Sequence, residues 1–270
     1  MKSGYSGQVE IIVLSDPAAV GRHAARLIAD TLDRRPEPVL GVATGSSPLA
    51  TYSELAALVR GGLDLSGATA FALDEYVGLD PAHPEAYHAV IHRDVTVPLQ
   101  LDPARVHVPN GAAADLRGAC LEYEAAIEAA GGIDVQLLGI GANGHIGFNE
   151  PGSSLSSRTR IKTLAPRTRR DNARFFGGGM EAVPVHCLTQ GIGTILRARS
   201  VVLVATGESK AAAVAAMAEG PLGAFCPASA LQLHERATVV LDEAAASRLR
   251  DREYYDFARD HAPDGGLDLD

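Results

Sequence analysis

The run VLGVATGSSP, residues 39–48, decides the fold. Its first five residues are apolar or small without alternation, the pattern of a strand buried on both faces in a parallel sheet. Thr44 to Ser47 then form a turn, and Pro48 suits the first turn of a helix, where its missing N–H costs nothing. The same rhythm recurs outward along the chain. Strands are expected at VEIIVL (9–14), ATAFAL (68–73), DVQLLGI (134–140), SVVLVAT (200–206) and ATVVL (237–241). Helices are expected at 17–33, 48–60, 113–130, 189–197 and 208–218, the first opening on Asp16-Pro17, a good cap followed by proline. Strands joined by crossover helices predict a doubly wound, Rossmann-like α/β fold, with a mostly parallel sheet and helices on both faces.

The 270 residues, 46% of them hydrophobic, suit one α/β domain, expected over 1–258. Residues 151–187 lack a clear strand, and about 160–187 read as a lid; 259–270 read as a disordered acidic tail. No stretch approaches the ~18 apolar residues of a membrane helix, and MKSGYSGQVE lacks a secretory signal's apolar run, so the expected location is the cytoplasm. A formal charge of −9 disfavours nonspecific nucleic acid or anionic membrane as partners, while local phosphate binding stays open. The chain has no tryptophan and few aromatics for stacking bases or polysaccharide. Cys120, Cys187 and Cys226 lie far apart without a CxxC pair and read as buried thiols.

In a doubly wound sheet, ligands sit beyond the carboxyl ends of the strands. Three loops there carry chemistry. Gly45, Ser46 and Ser47 in TGSSP can turn backbone N–H groups onto an anion at a helix start, although a capped strand-to-helix turn explains the motif equally well. In Leu73-Asp74-Glu75-Tyr76, neighbouring side chains of an extended segment point opposite ways, so one carboxylate faces the crevice and the other the protein. A shielded carboxylate has the raised proton affinity of a general base, the alternative being a helix cap or a surface ion pair. The third loop, GIGANGHIGFNEP (139–151), sets His145 and Glu150 among four glycines, with Asn143 placed to hydrogen-bond the histidine ring. No HxxxH, HxH or carboxylate cluster at ligand spacing points to a metal, and no GxSxG elbow to a serine nucleophile. Arg174 and Lys210 complete a phosphate site or are solvated surface cations.

Taken together, VLGVATGSSPLATY, FALDEYVGLDPAHPEAYH, GHIGFNEPGSSLSSRTRIKTL, ATGESKA and LQLH resemble the glucosamine-6-phosphate deaminases, also called glucosamine-6-phosphate isomerases, over nearly the whole chain. The resemblance implies conversion of glucosamine 6-phosphate and water to fructose 6-phosphate and ammonia, without metal or organic cofactor. It implies that Asp74 moves a proton between C2 and C1 of the open-chain sugar. It makes His145, assisted by Asn143 and Glu150, the group that opens the pyranose ring. The phosphate falls to Gly45, Ser46, Ser47, Arg174 and Lys210.

Position 143 is asparagine where some members carry aspartate, which leaves His145 without a stabilising charge from that side. TGSSP stands where some relatives have TGGTP. Some hexameric members are activated by N-acetylglucosamine 6-phosphate between subunits. The corresponding stretch here keeps Ser153, Ser154, Arg160, Lys162 and Thr163, implying a homo-oligomer, hexameric in those members, and the same activator. The alternatives are a basic surface strand without regulation, a 6-phosphogluconolactonase-like hydrolase and a non-catalytic sugar-phosphate sensor. IGFNEP after His145, in place of a lactonase's TASLFP-like run, and the absence of a helix-turn-helix segment favour the deaminase.

Overall fold

A computed structural model describes residues 9–177 and 179–261. The chain runs β1 (Glu10–Leu14), α1 (Pro17–Leu32), β2 (Val39–Val42), α2 (Leu49–Arg60), β3 (Thr69–Ala72), β4 (Asp74–Tyr76), α3 (Tyr87–Ile91) and β5 (Val106–His107). It continues through α4 (Leu116–Ala129), β6 (Val135–Leu138), β7 (Arg160–Thr163), α5 (Pro166–Phe176), β8 (His186–Thr189) and α6 (Ile192–Ile195). The last elements are β9 (Ser200–Ala205), α7 (Ala211–Ala218), β10 (Ala237–Asp242), α8 (Glu243–Ala246) and α9 (Arg252–Asp260).

Seven strands form a parallel sheet in the order β1-β10-β9-β6-β2-β3-β5, the doubly wound architecture expected. The uninterrupted apolar strands work because successive side chains enter opposite cores. Leu40, Val42, Val202, Val204 and Val240 pack with Val20, Ala24 and Ile28 of α1 and Tyr52 and Leu55 of α2. Val13, Leu138, Leu203 and Leu241 pack on the other face with Tyr123 and Ile127 of α4 and Val214 and Met217 of α7. Each such aliphatic side chain gains roughly 1.5–3 kcal/mol over exposure, which outweighs the weak intrinsic preference of strands as short as four residues. At α1 the Asp16 carboxylate accepts from the Ala19 N–H at 2.8 Å and Pro17 begins the helix, as its sequence requires.

The excursion between the halves differs from expectation. Asp74-Glu75-Tyr76 is not a loop but strand β4, and 160–187 is not strandless: β4-β8-β7 form a second, antiparallel sheet. Strand β7, with only alternate residues partly buried, has no apolar run to betray it. The helix expected at 189–197 shrinks to the single turn α6, because Thr189 ends β8 and its backbone pairs with Asp74 and Arg160. Helix α9 extends to Asp260, past the expected domain end at 258, and the rest of the acidic tail lies outside the described residues.

The second sheet is tied down at two places. Glu124 of α4 accepts from the Thr159 N–H at 2.7 Å and the Thr194 hydroxyl at 2.6 Å, fixing the approach to β7. Gly191 lies so close to the Ser157 backbone that a Cβ there overlaps the Ser157 carbonyl. Gly191→Ala is therefore expected to destabilise the protein by about 1–3 kcal/mol, since the obstruction is main chain and cannot rotate away. A lowered urea midpoint with an unchanged slope checks this; an unchanged midpoint refutes it.

Candidate functional site

The winding of the main sheet reverses between β2 and β6. Strands β3 and β5 extend from one side of that pair and β9, β10 and β1 from the other. The loops after β2 and β6 therefore face each other across the crevice where such sheets bind ligands, and a Cβ built on Gly139 would lie 3.7 Å from Ser47 Cβ. A cavity of about 240 Å³ opens there, lined by Gly45 to Ser47, Asp74, Gly139 to Gly141, His145, Arg174 and Lys210.

Strand β4 divides the two carboxylates as alternation demands. Glu75 turns into the protein, where it accepts the N–H groups of Tyr76 at 2.7 Å, Tyr87 at 2.9 Å and His88 at 2.8 Å, capping the start of α3. Asp74 lines the cavity yet is only 4% exposed. Its burial, and secondarily the charge of Glu75, push its pKa up to about 8, against the nearby Phe148 N–H. A base must be ionised to take a proton. The kcat/KM of this protein is therefore expected to climb until about pH 8, and a pH–rate profile checks it. A profile already flat from about pH 5 would contradict a raised Asp74.

The loop after β6 is held by its own side chains. Asn143 Oδ1 accepts from the His145 backbone N–H at 3.2 Å, and its Nδ2 donates to Glu150 Oε2 at 2.9 Å. It thus orients the main chain and Glu150, and makes no bond to the imidazole, contrary to the expected ring contact. The asparagine is too near the histidine in sequence, with a turn closed by Gly144 N–H to the Gly141 carbonyl, to reach around the ring. Among the described residues His145 Nδ1 has no hydrogen-bond partner, and it lies 3.8 Å from Glu150 Oε2. Burial lowers the pKa of His145, and Glu150 opposes this while Lys210 reinforces it. A neutral imidazole beside a carboxylate can accept a proton and share the resulting charge. Gly141 makes room for that ring, because a Cβ there overlaps it.

At the other end of the cavity, α2 starts after Pro48, and among the described residues no side chain caps it. The cap that a plain strand-to-helix turn would carry is not made by TGSSP, and the first amides of α2 stay open toward the cavity. Arg174 on α5 and Lys210 before α7 line the same cavity, and neither forms an ion pair among the described residues. Burial lowers the pKa of Lys210, with the Arg174 charge adding to it, so an anion between the two cations is favoured.

Several contributors were not foreseen. Thr189 is the cross-strand partner of Asp74, and its hydroxyl accepts from the Phe148 N–H at 3.1 Å, joining β8 to the His145 loop. Tyr76, Tyr87 and Phe148 form an aromatic wall, Tyr87 stacking on Phe148 at 5.6 Å. Asn172 of α5 donates to the Tyr76 hydroxyl at 2.9 Å and holds that helix over the cavity. The Asn172–Tyr76 contact alone spans 96 positions, and no local pattern pairs such residues.

Ser153, Ser154, Arg160, Lys162 and Thr163 lie outside the cavity lining. Arg160 and Lys162 share one face of β7. The Ser153 hydroxyl donates to the Glu150 carbonyl at 2.7 Å and Arg160 Nη1 to Asn149 Oδ1 at 2.9 Å, so both touch the His145 loop from behind. Among the described residues Ser154 bonds within its own turn, and Thr163 meets His186 at 3.3 Å.

Residues 17–240 match the model of the family described as glucosamine-6-phosphate isomerases/6-phosphogluconolactonase. A glucosamine-6-phosphate deaminase of Cutibacterium acnes is 60% identical over 248 residues, covering 92% of this chain and 95% of that one. The solved structure of a monomeric glucosamine-6-phosphate deaminase superposes with a TM-score of 0.86 at 42% identity, covering 89% of this chain and 100% of the other. A 6-phosphogluconolactonase from Trypanosoma cruzi superposes with a TM-score of 0.73 at 19% identity, over 92% of this chain and 100% of its own, a likeness of fold alone.

Proposed function

The chain belongs to the family of glucosamine-6-phosphate isomerases and 6-phosphogluconolactonases, and from that premise we propose how its cavity carries out the deaminase reaction of its near relatives. Glucosamine 6-phosphate is isomerised from aldose to ketose and deaminated, giving fructose 6-phosphate and ammonia, in amino-sugar breakdown. The observation that carries this is the convergence of a buried carboxylate, an imidazole backed by the Glu150 carboxylate, and two cations on one cavity.

The sugar phosphate is anchored by the Gly45, Ser46 and Ser47 loop with Arg174 and Lys210. His145 takes the proton of the anomeric hydroxyl and returns one to the ring oxygen, opening the pyranose, while Glu150, held by Asn143, steadies the transient imidazolium. Asp74 then removes the proton from C2 and delivers it to C1, while one proton passes from the amine nitrogen to O1, leaving a C1 hydroxyl and an imine at C2. Water adds there, the C–N bond breaks and ammonia leaves, so the net change is an isomerisation joined to hydrolysis of a C–N bond. The two proton tasks need separate groups, one at the carbon acid and one at the ring oxygen. Incubation with glucosamine 6-phosphate, with ammonia and fructose 6-phosphate measured together, tests the reaction. Equal molar yields support it; hydrolysis of 6-phosphogluconolactone alone would support the lactonase instead.

We also propose regulation. The lid is the segment of about 160–187, whose α5 already spans the cavity through Asn172 and Arg174. The kept run SSLSSRTRIKT supports a homo-oligomer, a hexamer in this proposal, activated by N-acetylglucosamine 6-phosphate at Ser153, Ser154, Arg160, Lys162 and Thr163. The contacts of Arg160 and Ser153 behind the His145 loop give such a signal a route. Sedimentation is expected to show an oligomer, with substrate affinity raised by N-acetylglucosamine 6-phosphate. A monomer, the state of one solved relative, with unaffected hyperbolic kinetics would sink the proposal. No described helix is long and apolar enough to cross a membrane, and the proposed location is the cytoplasm.

A further inference from the structure

Strand β2 ends abruptly. Its last ladder pair is Val42 with Ala72, and the next residue, Ala43, is almost wholly buried. Both of its main-chain groups go to one side-chain atom: the Tyr52 hydroxyl accepts from the Ala43 N–H at 2.9 Å and donates to the Ala43 carbonyl at 2.8 Å. Tyr52 is itself on the first turn of α2, its N–H bonded to the Pro48 carbonyl at 3.0 Å. The hydroxyl therefore joins the residue just before Thr44–Ser47 to the helix just after it. It substitutes for a strand partner and frees the chain to turn at Gly45, whose φ is +93°.

We propose that Tyr52 is a positioning residue for phosphate, acting through Ala43 to hold the Thr44–Ser47 backbone in its anion-binding arrangement. The inference rests on the assignment of that loop to the substrate phosphate. Removing only the hydroxyl leaves the ring in the core but orphans two buried main-chain groups, which can recover partners only by moving. The segment that moves first is the four-residue turn they anchor. Asp74 is on another strand and is left alone.

The test measures binding of inorganic phosphate by calorimetry, which needs no turnover, so a protein with a different reaction is distinguished from a mistaken role for Tyr52. Tyr52→Phe is expected to weaken phosphate about tenfold and to raise the KM for glucosamine 6-phosphate about as much. The kcat is expected to change by less than about threefold, and the acidic limb of kcat/KM to stay where it is. Leu55→Ala, which opens the same core one turn further along α2, is expected to lower stability with phosphate binding unchanged. Should Tyr52→Phe not fold, 4-aminophenylalanine at position 52 keeps a donor for the Ala43 carbonyl but accepts poorly, and is expected to weaken phosphate about two- to fivefold. Phosphate binding equal to the parent's in the folded variant, or equal loss in Leu55→Ala, overturns the proposal.

Discussion

Asp74→Asn is expected to lower kcat roughly a hundred- to ten-thousand-fold, the range for removing a positioned acid–base group. The amide fills the same space, so the cavity, the phosphate end and the aromatic wall persist, and binding of fructose 6-phosphate should change little. Stability should move the other way. The folded carboxyl holds its proton up to about pH 8, well above its ordinary value, so ionising it opposes folding. That cost is absent below the unfolded pKa of about 4 and complete above pH 8. Asp74→Asn is thus expected to match the parent near pH 4 and to melt several degrees higher near pH 8. A variant that turns over normally removes Asp74 from its role. One that loses binding as well as turnover would mean that the carboxylate holds the substrate.

His145→Gln is expected to have the second-largest effect, a fall in kcat of about the same order when the reaction starts from glucosamine 6-phosphate. The variant keeps a hydrogen-bonding side chain but cannot pass a proton between the anomeric hydroxyl and the ring oxygen. Only substrate that opens spontaneously would then react. With ammonia present, exchange of the C1 proton of fructose 6-phosphate with solvent deuterium should lose less in the same variant, because that partial reaction needs the carbon-acid step but no aldose ring. The KM should stay close to the parent's, since the phosphate contacts lie elsewhere. A loss in that exchange as large as in turnover would move His145 from ring opening to the carbon-acid step.

Much of this was legible in the sequence because buried parallel strands announce themselves. The runs at 39–43, 200–206 and 237–241 carry apolar residues for both faces, and such a pattern suits little else. The division between Asp74 and Glu75 was also readable, since alternation in an extended segment is geometric. The second sheet was hidden for the opposite reason. Strands of three and four residues such as Asp74–Tyr76 and Arg160–Thr163 acquire their structure from pairing with His186–Thr189, a partner no local pattern announces. The misplaced contact of Asn143 has a similar origin: spacing placed it near His145, but only the turn geometry sends its amide to Glu150. Tyr52 gave no signal at all, because a tyrosine on the inner face of a helix looks like any core residue until its hydroxyl finds Ala43.

In the proposed mechanism one shielded base, Asp74, carries a proton from C2 to C1. The most direct test runs the reaction on glucosamine 6-phosphate in D₂O and locates deuterium in the fructose 6-phosphate by NMR. A single base on one side of the substrate predicts label at C1 in one prochiral position only, at no more than one deuterium per molecule, and such product from Asp74→Asn only at its roughly hundred- to ten-thousand-fold lower rate. Label in both C1 positions, or ketose formed at the parent's rate by Asp74→Asn, would contradict it.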